Sequence, residues 1–260
     1  LRYIAANTKK KHIILAPTGI AAINAGGSTL HSFFKLPFHP LLPNDSMYSV
    51  RNIRNTLKYN SEKIKIIREV ELIIIDEISM VRADIIDFLD KILRVYCRNM
   101  REPFGGKQLL LVGDIFQLEP VVREDDRRLL SPFYRSSFFF NAKVFEYFKL
   151  VSIELKKVYR QSDPVFISIL DHIRTSQVPM QDLQRLNQRV GAQLDESDSK
   201  LAITLSTRRD TVDYINDSQL QRLPGEPCLF RGHIQGEFPE SSLPTPIELY
   251  LKTGAQVIFI

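Results

Sequence analysis

At 260 residues, 44% of them hydrophobic and 25% charged, the chain has an ordinary globular composition and length enough for one full domain and part of a second. It contains no apolar run of about 18 residues, and Leu1 to Lys11 lack the basic-then-apolar order of a secretory signal, so a membrane protein is not expected. The formal charge of +5 permits polyanionic partners without demanding them, and Cys97 and Cys228, with no CxxC spacing or histidine cluster, read as reduced thiols of a cytoplasmic protein.

In chain order, the first feature is a basic, acid-free stretch (Arg2, Lys9, Lys10, Lys11) leading into the apolar run Ile13 to Ala16. That run predicts a strand. It ends in Ala16-Pro17-Thr18-Gly19-Ile20-Ala21-Ala22, where Thr18 suits a helix N-cap whose hydroxyl and free N–H groups can meet phosphate. Gly26-Gly27-Ser28-Thr29 follows, then His31-Ser32-Phe33-Phe34, whose rings suit base stacking or, for at least one phenylalanine, core packing. Leu36 to Asn44 holds three prolines and reads as a loop. Between Arg51 and Arg68 lie six basic residues against one acidic residue, a pattern that fits a solvated helix face more readily than a nucleic-acid groove.

Leu72 to Ile75 is apolar at every position, as a parallel strand covered on both faces requires, and it runs into Asp76-Glu77. The carboxyl edge of such a sheet is where ligands bind. Asp76 suits a Mg²⁺ ligand acting through water, and Glu77 a general base for an attacking water. Ala83 to Cys97 predicts a helix, with Ile85, Leu89, Ile92 and Tyr96 on one stripe, Ile86 and Leu93 beside it, aspartates early and basic residues late. Leu109 to Val112 predicts the next strand, ending in Gly113-Asp114-Ile-Phe-Gln117. Here the glycine permits close backbone approach to a phosphate, and Gln117 can bond a γ-phosphate or its attacking water. Asp114 equally suits a turn former, with Gln117 simply exposed.

Val122 to Asn141 mixes charges with aromatics and predicts an inserted lobe or hairpin. Val151 to Leu155 predicts a strand, followed by Tyr159-Arg160-Gln161, where Arg160 can neutralise charge on a transferring phosphoryl group or pair with Asp163. Asp163-Pro164 predicts the capped start of a helix to Arg174. Leu201 to Leu205 and Val257 to Ile260 predict two more strands. Ser206 or Thr207 is expected to cap a helix running to Leu220, and Gly225 to Pro246 reads as an irregular connection. The alternation of strands and helices predicts an α/β fold with a parallel sheet.

Four segments together resemble the Pif family of DNA helicases, which belong to superfamily one, type B, and are related to RecD. They are Ala16 to Phe34, Ile75-Asp-Glu-Ile-Ser-Met80, Phe104-Gly-Gly-Lys-Gln108 leading into Gly113 to Leu118, and Leu155 to Gln161 with Asp163 and Ile173-Arg174. The resemblance covers most of residues 1 to 220, and Leu251 to Val257 looks like the family's entry into its second motor domain. It implies a RecA-like P-loop NTPase motor domain at 1–121, a small inserted lobe at 122–149, and the start of a second RecA-like domain at 150–260. It also implies a monomeric, ATP- and Mg²⁺-dependent 5′→3′ helicase on single-stranded and forked or structured DNA, serving repair, recombination and telomere maintenance. Its location would be cytoplasmic or nucleoid-associated in a bacterium, and nuclear or mitochondrial in a eukaryote.

By position, the resemblance assigns Asp76 to Mg²⁺, Glu77 to water activation, Gln117 and Arg160 to the γ-phosphate, and Pro17, Thr18, Gly19, His31, Ser32 and Phe33 to DNA. The sequence contains no G-x-x-x-x-G-K-[ST] loop, and Glu119 stands where many relatives have proline. The expectation is therefore that the sequence starts just after that loop and that this 260-residue polypeptide has little ATPase and no unwinding activity by itself. A nucleic-acid-binding module without catalysis and an RNA helicase are the competing expectations.

Overall fold

A computed structural model describes residues 2–193, 202–234 and 245–258. Cα packing groups the chain into two units, Leu1–Pro179 and Met180–Ile260.

The first unit is built on a four-stranded parallel sheet in the order β2-β1-β3-β4, made of β1 (His12–Ala16), β2 (Ser28–Thr29), β3 (Leu72–Ile75) and β4 (Gln108–Leu111). The three longer strands are in register, with Leu15 opposite Ile75 and Ile75 opposite Leu111. All four residues of β3 are buried, which is why the run shows no polar alternation. Ile73 and Ile75 join the main core on one face, while Leu72 and Ile74 are buried on the other by the two-residue period of a strand.

Helix α1 (Arg2–Asn7) precedes β1, and α2 (Gly19–Ala25), α3 (Leu30–Phe34), α4 (Ile53–Leu57) and α5 (Ser61–Glu69) fall between the strands. Next comes α6, which spans Ala83–Cys97 as its apolar period predicts, with Ile85, Ile86, Leu89, Ile92, Leu93 and Tyr96 all buried. The aspartates of α6 are fasteners for loops. Asp84 accepts the Leu41 N–H at 2.9 Å and pairs with Arg82 at 2.7 Å, while Asp87 accepts the Lys143 and Val144 N–H groups at 3.0 and 2.9 Å. Burial raises the pKa of Asp87 against those two hydrogen bonds.

Residues 122–141 form no hairpin. They contain α7 (Glu124–Leu130) and a 3₁₀ turn, Phe139–Asn141, and their buried Leu130, Tyr134 and Phe139 belong to the same core as α6. The basic stretch Arg51 to Arg68 is only partly a solvated face. Arg54 and Arg68 turn inward to donate to the carbonyls of Val95 and Tyr96 at 2.6 and 3.0 Å, capping the end of α6.

Val151 to Leu155 is not a strand. The apolar residues alternate there, but among the described residues no neighbouring strand offers N–H and C=O groups, and Val151, Ile153 and Leu155 are each more than 80% exposed. The segment leads to α8 (Pro164–Arg174), whose N-cap Asp163 accepts the Val165 and Phe166 N–H groups at 2.8 and 3.2 Å.

The second unit contains α9 (Met180–Asn187), α10 (Arg209–Arg222) and an antiparallel pair, β5 (Cys228–Arg231) with β6 (Glu248–Leu251). Residues 202–205 and 257–258 form no strands, and Leu201 and the last two residues of the sequence lie outside the described residues. Arg208, not Ser206 or Thr207, is the N-cap of α10; it is fixed by Asp210 and by a bond from its N–H to the Ser206 hydroxyl at 3.1 Å. Cys228–Arg231 is a strand inside the stretch expected to be irregular, because β6 supplies its partner; residues 235–244 lie outside the described residues. Among the described residues, no helix is long and apolar enough to cross a membrane.

Candidate functional site

The register of the sheet puts the ends of β1, β3 and β4 side by side, so Pro17-Thr18, Asp76-Glu77 and Gly113-Asp114 all leave from one edge. The ladder continues one step past the strands, through Asp76 N–H to Leu15 O at 2.8 Å and Val112 N–H to Ile75 O at 2.8 Å. Asp76 and Glu77 are both half-buried. The Asp76 Oδ1 accepts the Glu77 N–H at 3.0 Å, and its Oδ2 takes no protein donor among the described residues. Such a free carboxylate oxygen at the edge of a parallel sheet fits a water ligand of Mg²⁺. Glu77 sits at φ +50° and ψ +44°, a left-handed conformation uncommon for a residue with a Cβ. That turn breaks the strand and starts the 3₁₀ turn Ile78–Met80.

Gly113 makes room for backbone. A Cβ there would lie 2.9 Å from the Ile78 N and 3.1 Å from the Ile78 Cγ2, and the Ile78 N–H already bonds to Val112 O at 3.0 Å. The absent side chain lets the end of β4 lie against the backbone that follows Glu77.

Asp114 closes a turn by accepting the Phe116 N–H at 3.1 Å, and Gln117, exposed, donates its side-chain amide to the Asp114 Oδ2 at 3.4 Å. Arg174 on α8 reaches the same carboxylate at 3.0 Å and lies 4.8 Å over the Phe116 ring. Partial burial raises the pKa of Asp114, but the Phe116 N–H and the Arg174 guanidinium outweigh it and hold the carboxyl below its usual value. A depressed carboxyl stabilises the fold above its ordinary pKa of about 4, and that contribution fades as the pH falls through the lower folded value. Arg174→Met is expected to raise the Asp114 pKa toward the ordinary value in a carboxyl-carbon NMR titration; an unmoved pKa would show that the guanidinium does not hold the turn.

Arg160 is exposed in the strandless segment and makes no ion pair among the described residues, since Asp163 is engaged in capping α8. Thr18 caps α2, its hydroxyl accepting the Ala21 N–H at 3.3 Å, with Pro17 half-buried and Gly19 exposed. Thr29 caps α3 in the same way, accepting the Ser32 N–H at 3.1 Å, and Ser32 is exposed.

Of the aromatics, Phe34 is fully buried. Phe33 is half-buried with its edge on Phe34, and the Lys63 ammonium stands 3.4 Å from its ring centre. His31 is half-buried; burial, then the Arg82 charge, lowers its pKa. Two residues outside the expected site set make contacts with it: Arg174, which the sequence marked only as part of a motif segment, reaches Asp114, and Phe38 stacks on His31 from within the proline-rich loop.

The sequence model for the PIF1-like helicase family matches residues 1–183. The ATP-dependent DNA helicase PIF1 of Saccharomyces cerevisiae (strain YJM789) is 32% identical over 256 residues, an alignment that covers 95% of this chain and 28% of the yeast protein. The crystal structure of Pif1 helicase from Bacteroides in complex with ADP-AlF3 and single-stranded DNA has a TM-score of 0.81 at 40% identity, covering 96% of this chain and 56% of that one. A structure of two coordinating Pif1 helicases at forked double-stranded DNA has a TM-score of 0.80 at 40% identity, covering 96% and 57%. The chain thus spans a little over a quarter of that yeast relative and somewhat over half of each of these two solved chains.

Proposed function

The chain belongs to the PIF1-like helicase family, and from that premise we propose that it forms part of an ATP-dependent DNA helicase that moves 5′→3′ on single-stranded DNA. Forked or structured duplexes are its substrates, and repair, recombination and telomere maintenance its setting. It acts as a monomer inside the cell. The observation that carries this reading is the Asp76-Glu77 pair at the carboxyl edge of the parallel sheet, with the backbone at Gly113 closed against it.

Mg²⁺, when bound with ATP, supplies positive charge to the β- and γ-phosphate oxygens. Asp76, whose Oδ2 takes no protein donor among the described residues, would hold the metal through water. Glu77 orients the attacking water and accepts its proton. Gln117 reports the γ-phosphate to the turn built on Asp114, and Arg160 adds positive charge to the same phosphate. Pro17, Thr18, Gly19, His31, Ser32 and Phe33 lie along the path of the DNA. In domain terms, 1–121 is the first motor domain, 122–149 the inserted lobe and 150–260 the start of the second.

The test is ATP hydrolysis by the full-length protein with single-stranded DNA, with single-stranded RNA and with neither. Stimulation by DNA well above RNA is the expected result. Stronger stimulation by RNA would make it an RNA helicase, and DNA binding without hydrolysis would reduce it to a binding module.

A further inference from the structure

Between α3 and α4 the chain passes through Leu36-Pro-Phe-His-Pro-Leu41, and this short arch is held at both ends. Leu36 and Leu41 are 5% and 4% exposed. The Leu36 N–H donates to His31 O at 3.0 Å, and the Leu41 N–H to the buried Asp84 carboxylate at 2.9 Å. Pro37 and Pro40 restrict the backbone between these anchors. Phe38 nevertheless stands 80% exposed, with its ring 5.2 Å from that of His31 and 7° from parallel.

Single exposed phenylalanines are common on protein surfaces. This one differs in being fixed by its loop, backed on one face by a flat ring and open to solvent on the other. The near-parallel His31 ring gives Phe38 a flat backing. Phe33, the neighbouring candidate for stacking, has Lys63 over its face and Phe34 against it. Positive charge lies close by. Lys35 is the C-cap of α3, three positions before Phe38, and is exposed. An open aromatic face with a lysine close by in the chain is a combination that suits single strands, the ring taking a base and the cation the backbone.

We propose that Phe38, backed by His31, is a stacking platform for a base of single-stranded DNA. The proposal rests on the DNA-binding reading above and adds a contact to it. Because stacking uses the π-face that every base has, the platform is indifferent to sequence and suits a protein that moves along DNA.

The experiment is fluorescence anisotropy of the full-length protein with a labelled oligothymidylate and with an abasic strand of equal length, across a salt series. Phe38→Ala is expected to weaken oligothymidylate binding by roughly 5- to 150-fold with an unchanged salt slope, because no phosphate contact is removed. Phe38→Tyr, which keeps the ring, stays close to the parent, and the abasic strand loses far less on Phe38→Ala. Equal binding of oligothymidylate by the parent and Phe38→Ala would overturn the platform and leave the DNA-binding reading intact. An equal loss on both strands would also overturn it, since the missing contact would not be to a base. If the parent binds neither strand, the DNA-binding reading falls and the platform with it.

Discussion

Replacing Glu77 by glutamine in the full-length protein is expected to lower ATP turnover by about 10²- to 10⁴-fold while leaving its affinity for single-stranded DNA close to that of the parent. The substitution keeps the shape of the side chain and removes its basicity. Glu77 leaves the sheet edge directly after Asp76, half-buried, with its backbone turned to φ +50°. A left-handed residue with a Cβ costs roughly 1–2 kcal/mol, and such strain persists where the surroundings hold it. Here the Ile78 N–H bond to Val112 O and the Asp76 Oδ1 bond to the Glu77 N–H fix the turn from both sides. Glu77→Gly then separates chemistry from strain: it is expected to be as inactive as the glutamine variant but no less stable in urea. Turnover by Glu77→Gln above about a tenth of the parent's would remove Glu77 from the general-base role.

Gly27→Ala is expected to destabilise the protein by about 3 kcal/mol or more, as overpacking against backbone does. A Cβ on Gly27 would fall 2.1 Å from the Ile14 carbonyl oxygen and 2.7 Å from its carbon. These are backbone atoms in the middle of β1, bonded into a sheet whose central strand is wholly buried, so the neighbour cannot give way. The displaced partner is instead β2, with its two ladder pairs to Leu15 and Ala16. Moving β2 also moves Thr29, whose hydroxyl caps α3, and with it His31 and the backing of Phe38. Gly19→Ala is the internal control. Nothing lies within 4 Å of its Cβ position, so stability is expected to stay within about 0.5 kcal/mol. Urea midpoints for the two variants check the pair, and similar stabilities would show that β2 adapts to the added methyl.

Much of the first unit is legible in the sequence for one reason: burial of a whole element leaves a periodic trace along the chain. β3 is apolar at every position because both faces are covered, and the stripe of α6 marks the side that meets the core. Asp163-Pro164 is read as a helix start because capping is local, and the structure has that cap. The second unit and the link to it are read less well. Val151 to Leu155 carries the alternation of a strand, but a strand exists by pairing, and no partner stands beside it among the described residues. Cys228–Arg231 was hidden among prolines and glycines because its pairing residue, Glu248–Leu251, is distant in sequence. Arg54 and Arg68 look like surface charge until the end of α6 is beside them.

The parallel α/β core, the family, and the emergence of Thr18, Asp76-Glu77 and Gly113-Asp114 at strand ends can all be read along the chain. Those features rest on local periodicity and on motif residues contiguous in the chain. Only the tertiary structure decided that Gly27 and Gly113 make room for the backbones of Ile14 and Ile78, and that Arg174 holds Asp114. It also decided which phenylalanine near His31 presents an open face, covering Phe33 with Lys63 and leaving Phe38 exposed. The physical reason is the same in each case: the deciding contact joins residues far apart in sequence, and neither partner's own neighbourhood records which atom folding will bring against it.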